Sequence, residues 1–69
     1  MKKFYILIDE LKTGDIFTEV YHTAKEAKAA ARNALDKLTE TDKRRRSAFY
    51  ILTNSDPESL DGDILKKYL

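Results

Sequence analysis

The sequence predicts a small α+β domain in which a three-stranded antiparallel sheet, in the strand order 2-1-3, packs on one main helix. Three observations carry this prediction. Two short apolar runs flank a polar turn, which is the pattern of a β-hairpin. A capped, alanine-rich helical stripe follows them, and a third apolar run follows the helix. With 69 residues, the chain has room for one domain, covering residues 1–69.

The hairpin consists of Lys3–Asp9 and Asp15–His22, which are short and rich in residues that favour strands. The loop between them is polar and ends at Gly14. Because glycine adopts positive φ without a steric penalty, Gly14 fits the last position of a three-residue loop with a bulge.

This loop also sets which residues stand opposite each other in the hairpin. If Leu11 stands opposite Asp15, Tyr5 stands opposite Tyr21. Successive side chains then alternate between the two faces of the ribbon. The face that we expect to form the core carries Phe4, Ile6, Ile8, Ile16 and Val20. The second face carries Tyr5, Leu7, Phe17 and Tyr21.

The main helix is predicted over Thr23–Leu38. Thr23 and Glu26 form a T-x-x-E capping box, and alanines and leucines then recur at helical spacing. A weaker start signal, T-x-x-D, begins at Thr39. The helix therefore either continues to about Arg46 or breaks near Thr39 and restarts as a short second helix. We favour the break, since threonine disfavours an unbroken helix.

The third strand is predicted over Ala48–Thr53, paired with the first strand. Turn residues follow it, and the chain ends in the apolar segment Ile64–Leu69. This segment fits a strand or a helix. The helical pattern matches more of its residues, but it is too short for the pattern to decide.

The sequence lacks the residue types that most catalytic and metal sites require. It has no cysteine and one histidine, His22, so no histidine–cysteine metal site can form. Its two glycines stand far apart, so there is no glycine-rich phosphate loop. We therefore expect no enzyme activity, no cofactor and no metal. The cysteine-free composition and the lack of a long apolar segment are typical of a cytoplasmic protein.

The second sheet face is the predicted place of function. One helix covers one face of such a sheet, which leaves aromatic and aliphatic side chains on the other. Three interpretations stay open: the Ile64–Leu69 segment covers this face, a second copy or another protein covers it, or its aromatics stack on unpaired bases. We expect an unknown protein partner or self-association. The predicted partner-binding residues are Tyr5, Leu7, Phe17, Tyr21 and Tyr50.

The only concentrated charge is a run of four cations, Lys43, Arg44, Arg45 and Arg46. Such a run can neutralise phosphates and bind nucleic acid without sequence preference. It can equally stabilise a helix C-terminus. Weak nucleic-acid binding through these residues is the alternative to a protein-interaction function.

Two resemblances accompany these patterns. The helix "TAKEAKAAA", the segment "LTETDKRRRS" and the tail "DGDI" together resemble a group of small bacterial proteins of unknown function from gut bacteria and their mobile elements. This resemblance implies no activity. The hairpin followed by "TAKEA", within residues 3–38, is similar to the start of HicB-type antitoxins, which implies a partial double-stranded-RNA-binding-like fold. The glycine- and proline-rich second strand of those antitoxins is absent here.

Overall fold

A computed structural model describes residues 2–69 as a four-stranded antiparallel sheet with two helices. The strand order is β2-β1-β3-β4. No helix within residues 2–69 has the length and apolarity needed to cross a membrane. The elements are β1 (Phe4–Leu11), β2 (Ile16–Tyr21), α1 (Ala24–Asp36), α2 (Glu40–Arg44), β3 (Arg46–Asn54) and β4 (Asp63–Lys67).

The hairpin has the predicted turn and register. Gly14 has a φ of 99°, and its N–H donates to the carbonyl of Leu11 at 2.9 Å. The Leu11 N–H donates to the carbonyl of Asp15 at 2.8 Å, so these two residues close the hairpin. Tyr5 stands opposite Tyr21, as the loop geometry predicts.

The break between two helices is confirmed. The hydroxyl of Thr23 caps α1 by accepting the Glu26 N–H at 3.1 Å. Thr39 caps α2 with a complete capping box, in which the Thr39 hydroxyl accepts the Asp42 N–H and the Asp42 carboxylate accepts the Thr39 N–H. Helix α2 ends at Arg44, and Arg46 is the first residue of β3. The predicted helical segment, up to about Arg46, was therefore too long.

The C-terminal segment forms a fourth strand, which the three-stranded prediction omitted. β4 pairs antiparallel with β3, and the Tyr68 N–H donates to the Phe49 carbonyl at 2.8 Å. The Tyr68 ring meets the Phe49 ring edge-on, with centroids 5.9 Å apart. The preference for a helix here was wrong. An isolated helix of this length is unstable, whereas a strand gains backbone bonds along a sheet edge that already exists.

Helix α1 packs on the hairpin face opposite to the predicted one. Its Ala27 and Ala31 are buried, and Tyr5 and Tyr21 are partly buried beside them. The buried side chains that α1 contacts on the sheet are Leu7, Phe49 and Ile51. We call this side of the sheet the helix face. Ile6 and Ile8, assigned to the helix-packed core, instead lie on the other side with Leu52.

The direction of the strands explains this correction. β2 and β3 both run antiparallel to β1, so they are parallel to each other and α1 forms a crossover between them. Such crossovers are right-handed in about 98% of cases. The Leu11–Asp15 bond implies that Leu7 directs its backbone N–H and C=O groups towards β2. For L-amino acids, this orientation places the Leu7 side chain on the face of the sheet that a right-handed crossover covers. Hydrophobicity could not decide, since both hairpin faces are apolar.

Gly62 lets the chain pass close to β3 before β4 begins. A Cβ at this position would lie 2.3 Å from the carbonyl oxygen of Thr53 and 3.2 Å from a methyl carbon of Leu52. The first contact is far shorter than van der Waals contact, and it involves backbone. Gly14 differs, because a Cβ there would meet nothing within 4 Å.

We expect Gly62→Ala to lower the free energy of unfolding by about 1–3 kcal/mol, since the added methyl forces the backbone of β3 and the loop apart. Urea unfolding measures the loss, and amide hydrogen exchange should show that β4 is affected most. Gly14→Asn is the control, since asparagine tolerates positive φ and the site is open. Equal stability of Gly62→Ala and the unmodified chain would contradict the close approach.

Candidate interaction site

The face of the sheet opposite α1, which we call the open face, carries no helix in the described residues. Helix α1 packs on the helix face, and Arg46 ties α2 to the same side by donating to the Asp42 carbonyl and to the Asp9 carboxylate. The strand residues of the open face are Phe4, Ile6, Ile8, Glu10, Ile16, Thr18, Val20, Ala48, Tyr50, Leu52, Asn54, Ile64 and Lys67.

The open face has a closed apolar centre and an exposed apolar rim. Ile6, Ile8 and Leu52 are almost fully buried and form one cluster, with Tyr50 packed against it. On the two outer strands, Ile16 is 47% exposed, and Val20 and Ile64 are 42% and 51% exposed. The exposed apolar surface of the open face therefore lies mainly on β2 and β4. The buried cluster of Ile6, Ile8 and Leu52 lies between these two strands.

A loop bounds one end of the open face. The Asn54 side chain donates to the carbonyls of Ser59 and Asp61, at 2.7 and 2.8 Å, and accepts the Asp56 N–H at 3.1 Å. These bonds hold the turn that precedes β4. Asn54 therefore positions Ile64 on the rim. The sequence predicts a turn after the third strand, but no sequence pattern shows that one side chain makes all three hydrogen bonds.

On the helix face, a groove of about 310 Å³ lies beside α1. The apolar part of its lining consists of Leu7, Phe17 and Phe49, and the acidic part consists of Asp9 and Glu19. The other lining residues are Thr18, Tyr21, Ala30 and Ala34. Phe17 is 60% exposed although it lines this groove with Ala30 and Ala34 of α1.

Within this groove, the Tyr21 hydroxyl donates a hydrogen bond to the Glu19 carboxylate. This bond, followed by burial and then by the Glu19 charge, raises the pKa of Tyr21 to about 12. All three effects favour the neutral phenol. The bond therefore adds to stability below the ordinary tyrosine pKa of 10.0, and its contribution is lost as the pH rises through about 12.

We expect Glu19→Ala to return the pKa of Tyr21 towards 10.0, because the substitution removes both the acceptor and the negative charge. Absorbance titration of the phenolate measures this shift, as a step near pH 12 in the unmodified chain that moves to lower pH in Glu19→Ala. Tyr21→Phe identifies that late step by deleting it. A late step that survives in Glu19→Ala would contradict the assignment.

The four cations of the basic run are not equivalent. Arg46 forms an ion pair with Asp9 at 3.2 Å and also donates to the Asp42 carbonyl at 2.8 Å. Lys43 lies 3.7 Å from the Glu40 carboxylate, in an exposed pair. Arg44 and Arg45 are exposed and lie near Lys12 at the hairpin turn, where the Lys12 N–H donates to the Arg45 carbonyl.

We expect Arg46→Ala to lower the free energy of unfolding by about 1–3 kcal/mol. The change leaves the partly buried Asp9 carboxylate without this donor and removes one of the hydrogen bonds to the Asp42 carbonyl, which keeps the one from the Arg45 N–H. Arg44→Ala is the matched control and should change stability by less than about 0.5 kcal/mol, since Arg44 is exposed. Denaturant titration of both variants tests this, and equal losses would refute a structural role specific to Arg46.

The predicted partner-binding residues fall into two groups. Tyr50 lies on the open face, opposite Ile8, as predicted. Leu7, Phe17 and Tyr21 line the groove on the helix face, and Tyr5 packs against the core beneath α1. Their placement on the side away from the helix was therefore wrong. The aliphatic residues Ile16 and Val20, assigned to the core, and Ile64 form the exposed rim instead.

His22 follows β2, and its ring is tilted against the Phe4 ring with centroids 5.7 Å apart.

A scan against protein-family models, a search of curated proteins and a search of solved structures each found no match to this chain. The resemblance to HicB-type antitoxins therefore stays a prediction.

Proposed function

We propose that this protein is a small non-enzymatic interaction module whose open face packs against an amphipathic helix of a partner protein. The observation that supports this most is the exposed rim formed by Ile16, Val20 and Ile64 around a closed apolar centre. Exposed apolar patches of this kind mark interaction sites in soluble proteins.

The charge distribution favours an apolar partner surface. Among the described strand residues of the open face, Glu10 and Lys67 are the ones with a charged side chain; Glu10 follows Ile8 on this face of β1, and Lys67 stands opposite Tyr50, so both lie at the edge of the central cluster. A partner that covers the centre therefore meets aliphatic and aromatic groups, and it can keep its own charged groups at the margin, where they stay hydrated.

The size and layering of the domain favour a helix as the partner element. Four strands spaced about 4.8 Å apart give a face roughly 15 Å wide. A helix with its side chains is about 10 Å across, and three or four turns span about 20 Å. Here α1 covers one face of an antiparallel sheet, and a partner helix would form a layer on the other face.

Nucleic-acid binding through Lys43–Arg46 has less support. Arg46 is engaged by Asp9, and Lys43 lies beside Glu40, so two of the four cations already have acidic partners. Tyr50 and Phe4 are the aromatic strand residues on the open face, and both are partly buried. Bases would have little aromatic surface to stack on there.

Site-specific photo-crosslinking tests the proposal in cells that make the protein. We expect benzoylphenylalanine in place of Tyr50 to yield a discrete adduct with another protein, because this position borders the exposed rim. Adding Ile64→Lys should abolish the adduct, since it places a charge against the apolar partner, while changing stability by less than about 1 kcal/mol at an exposed position.

Phe17→Lys is the matched control, because Phe17 is also more than half exposed but lies on the helix face. It should leave the adduct in place. An adduct of twice the chain's own mass would show that a second copy covers the open face, and this would contradict the proposal. So would an adduct that is insensitive to Ile64→Lys.

A further inference from the structure

The two edges of the sheet differ in how well they are protected against pairing with another strand. At β4, the chain has Lys66 and Lys67, and the pairing with β3 shifts register between Ile51 and Leu52. Lysines and bulges are the usual means by which edge strands avoid further pairing. β2 (Ile16–Tyr21) has no lysine, arginine or proline, and every residue up to Val20 is exposed.

The free edge of β2 also presents unpaired backbone groups at known positions. The Leu11–Asp15 bond closes the hairpin, and in an antiparallel pair bonded and non-bonded residue pairs alternate. Ile16, Thr18 and Val20 therefore direct their N–H and C=O groups away from β1. The same alternation across the sheet directs the Phe49 carbonyl towards β4, where the Tyr68 N–H donates to it.

We propose that β2 pairs antiparallel with β2 of a second copy of this chain, around a two-fold axis at Thr18. In this register Thr18 stands opposite Thr18 of the second copy. Ile16 stands opposite Val20 of the second copy, and Val20 stands opposite Ile16 of the second copy. All of these residues direct backbone groups to the free edge, so about six hydrogen bonds form. The two most exposed aliphatic side chains of β2 then pair with each other on the open face.

Charge distinguishes this register from its nearest alternative. A two-fold axis at Glu19 would place two carboxylates directly opposite each other, which is destabilising. With the axis at Thr18, Glu19 stands opposite Phe17 of the second copy on the helix face, and no like charges face each other. The register at Thr18 therefore avoids the like-charge contact that a shift to Glu19 would create.

The two-fold axis is perpendicular to the sheet, so both open faces lie on the same side of one eight-stranded sheet. The inference concerns the edge of β2 and does not depend on the proposed function of the open face. A single strand pair buries less area than a standard protein interface, so the association should be weak and concentration-dependent.

Cysteine substitution tests the register, because the natural chain contains no cysteine. We expect Thr18→Cys to form a covalent dimer with oxidised glutathione, since residues opposite each other in a bonded pair have Cα atoms about 5.5 Å apart, within disulfide range. Ile16→Cys alone and Val20→Cys alone should react about ten-fold more slowly, because equivalent residues of the two copies lie about 13 Å apart. An equimolar mixture of these two variants should form a mixed dimer at the fast rate.

All three positions are exposed, so the variants should fold, and circular dichroism of the reduced proteins verifies this. Equal oxidation rates for Ile16→Cys, Thr18→Cys and Val20→Cys would overturn the proposal. So would an unmodified chain that sediments as a monomer at millimolar concentration. Loss of the Tyr50 crosslink described above would leave the cysteine pattern unchanged, so the two proposals fail separately.

Discussion

The bond between the Leu11 N–H and the Asp15 carbonyl orients the rest of the molecule. By closing the hairpin at this pair, it determines which backbone groups of β1 point to β2 and which point to β3. With L-amino acids, that polarity also determines which side chains lie on the side of a right-handed crossover. Helix α1 therefore covers Leu7, and Ile6 and Ile8 are left on the open face. One turn thus decides the position of the core, of the open face and of the free edge.

The local elements of this fold could be predicted from the sequence because each has a local cause. Gly14 supplies positive φ, and Thr23 and Thr39 supply the helix caps at the positions where the helices begin. The face of the hairpin that α1 covers could not be predicted from hydrophobicity, since both faces are apolar. The turn register and the right-handed crossover rule together determine which face α1 covers. This determination depends on backbone geometry and not on side-chain hydrophobicity.

The candidate interaction surface was harder to predict, because it depends on contacts between distant parts of the chain. Tyr50 lies on the side away from the helix, as predicted, although strand alternation by itself shows only that Tyr50 and Phe49 lie on opposite faces. The rim at Ile64 depends on β4, and β4 depends on the bonds that Asn54 makes to its own loop. Likewise, the basic run looked uniform along the sequence, but the ion pair of Arg46 with Asp9 joins β3 to β1. No periodic pattern records such pairs.

The central pairing of β1 with β3 has a consequence for how the chain folds. It joins the two halves of the sequence, whereas the β1–β2 and β3–β4 pairs are local hairpins. Ordering β1 against β3 therefore requires closure of the long segment that contains both helices, at a cost in chain entropy. The helices shorten the span of this segment, because each helical residue advances only about 1.5 Å, and the threonine caps stabilise both helices. Residues outside the sheet thus contribute to the pairing that builds the open face.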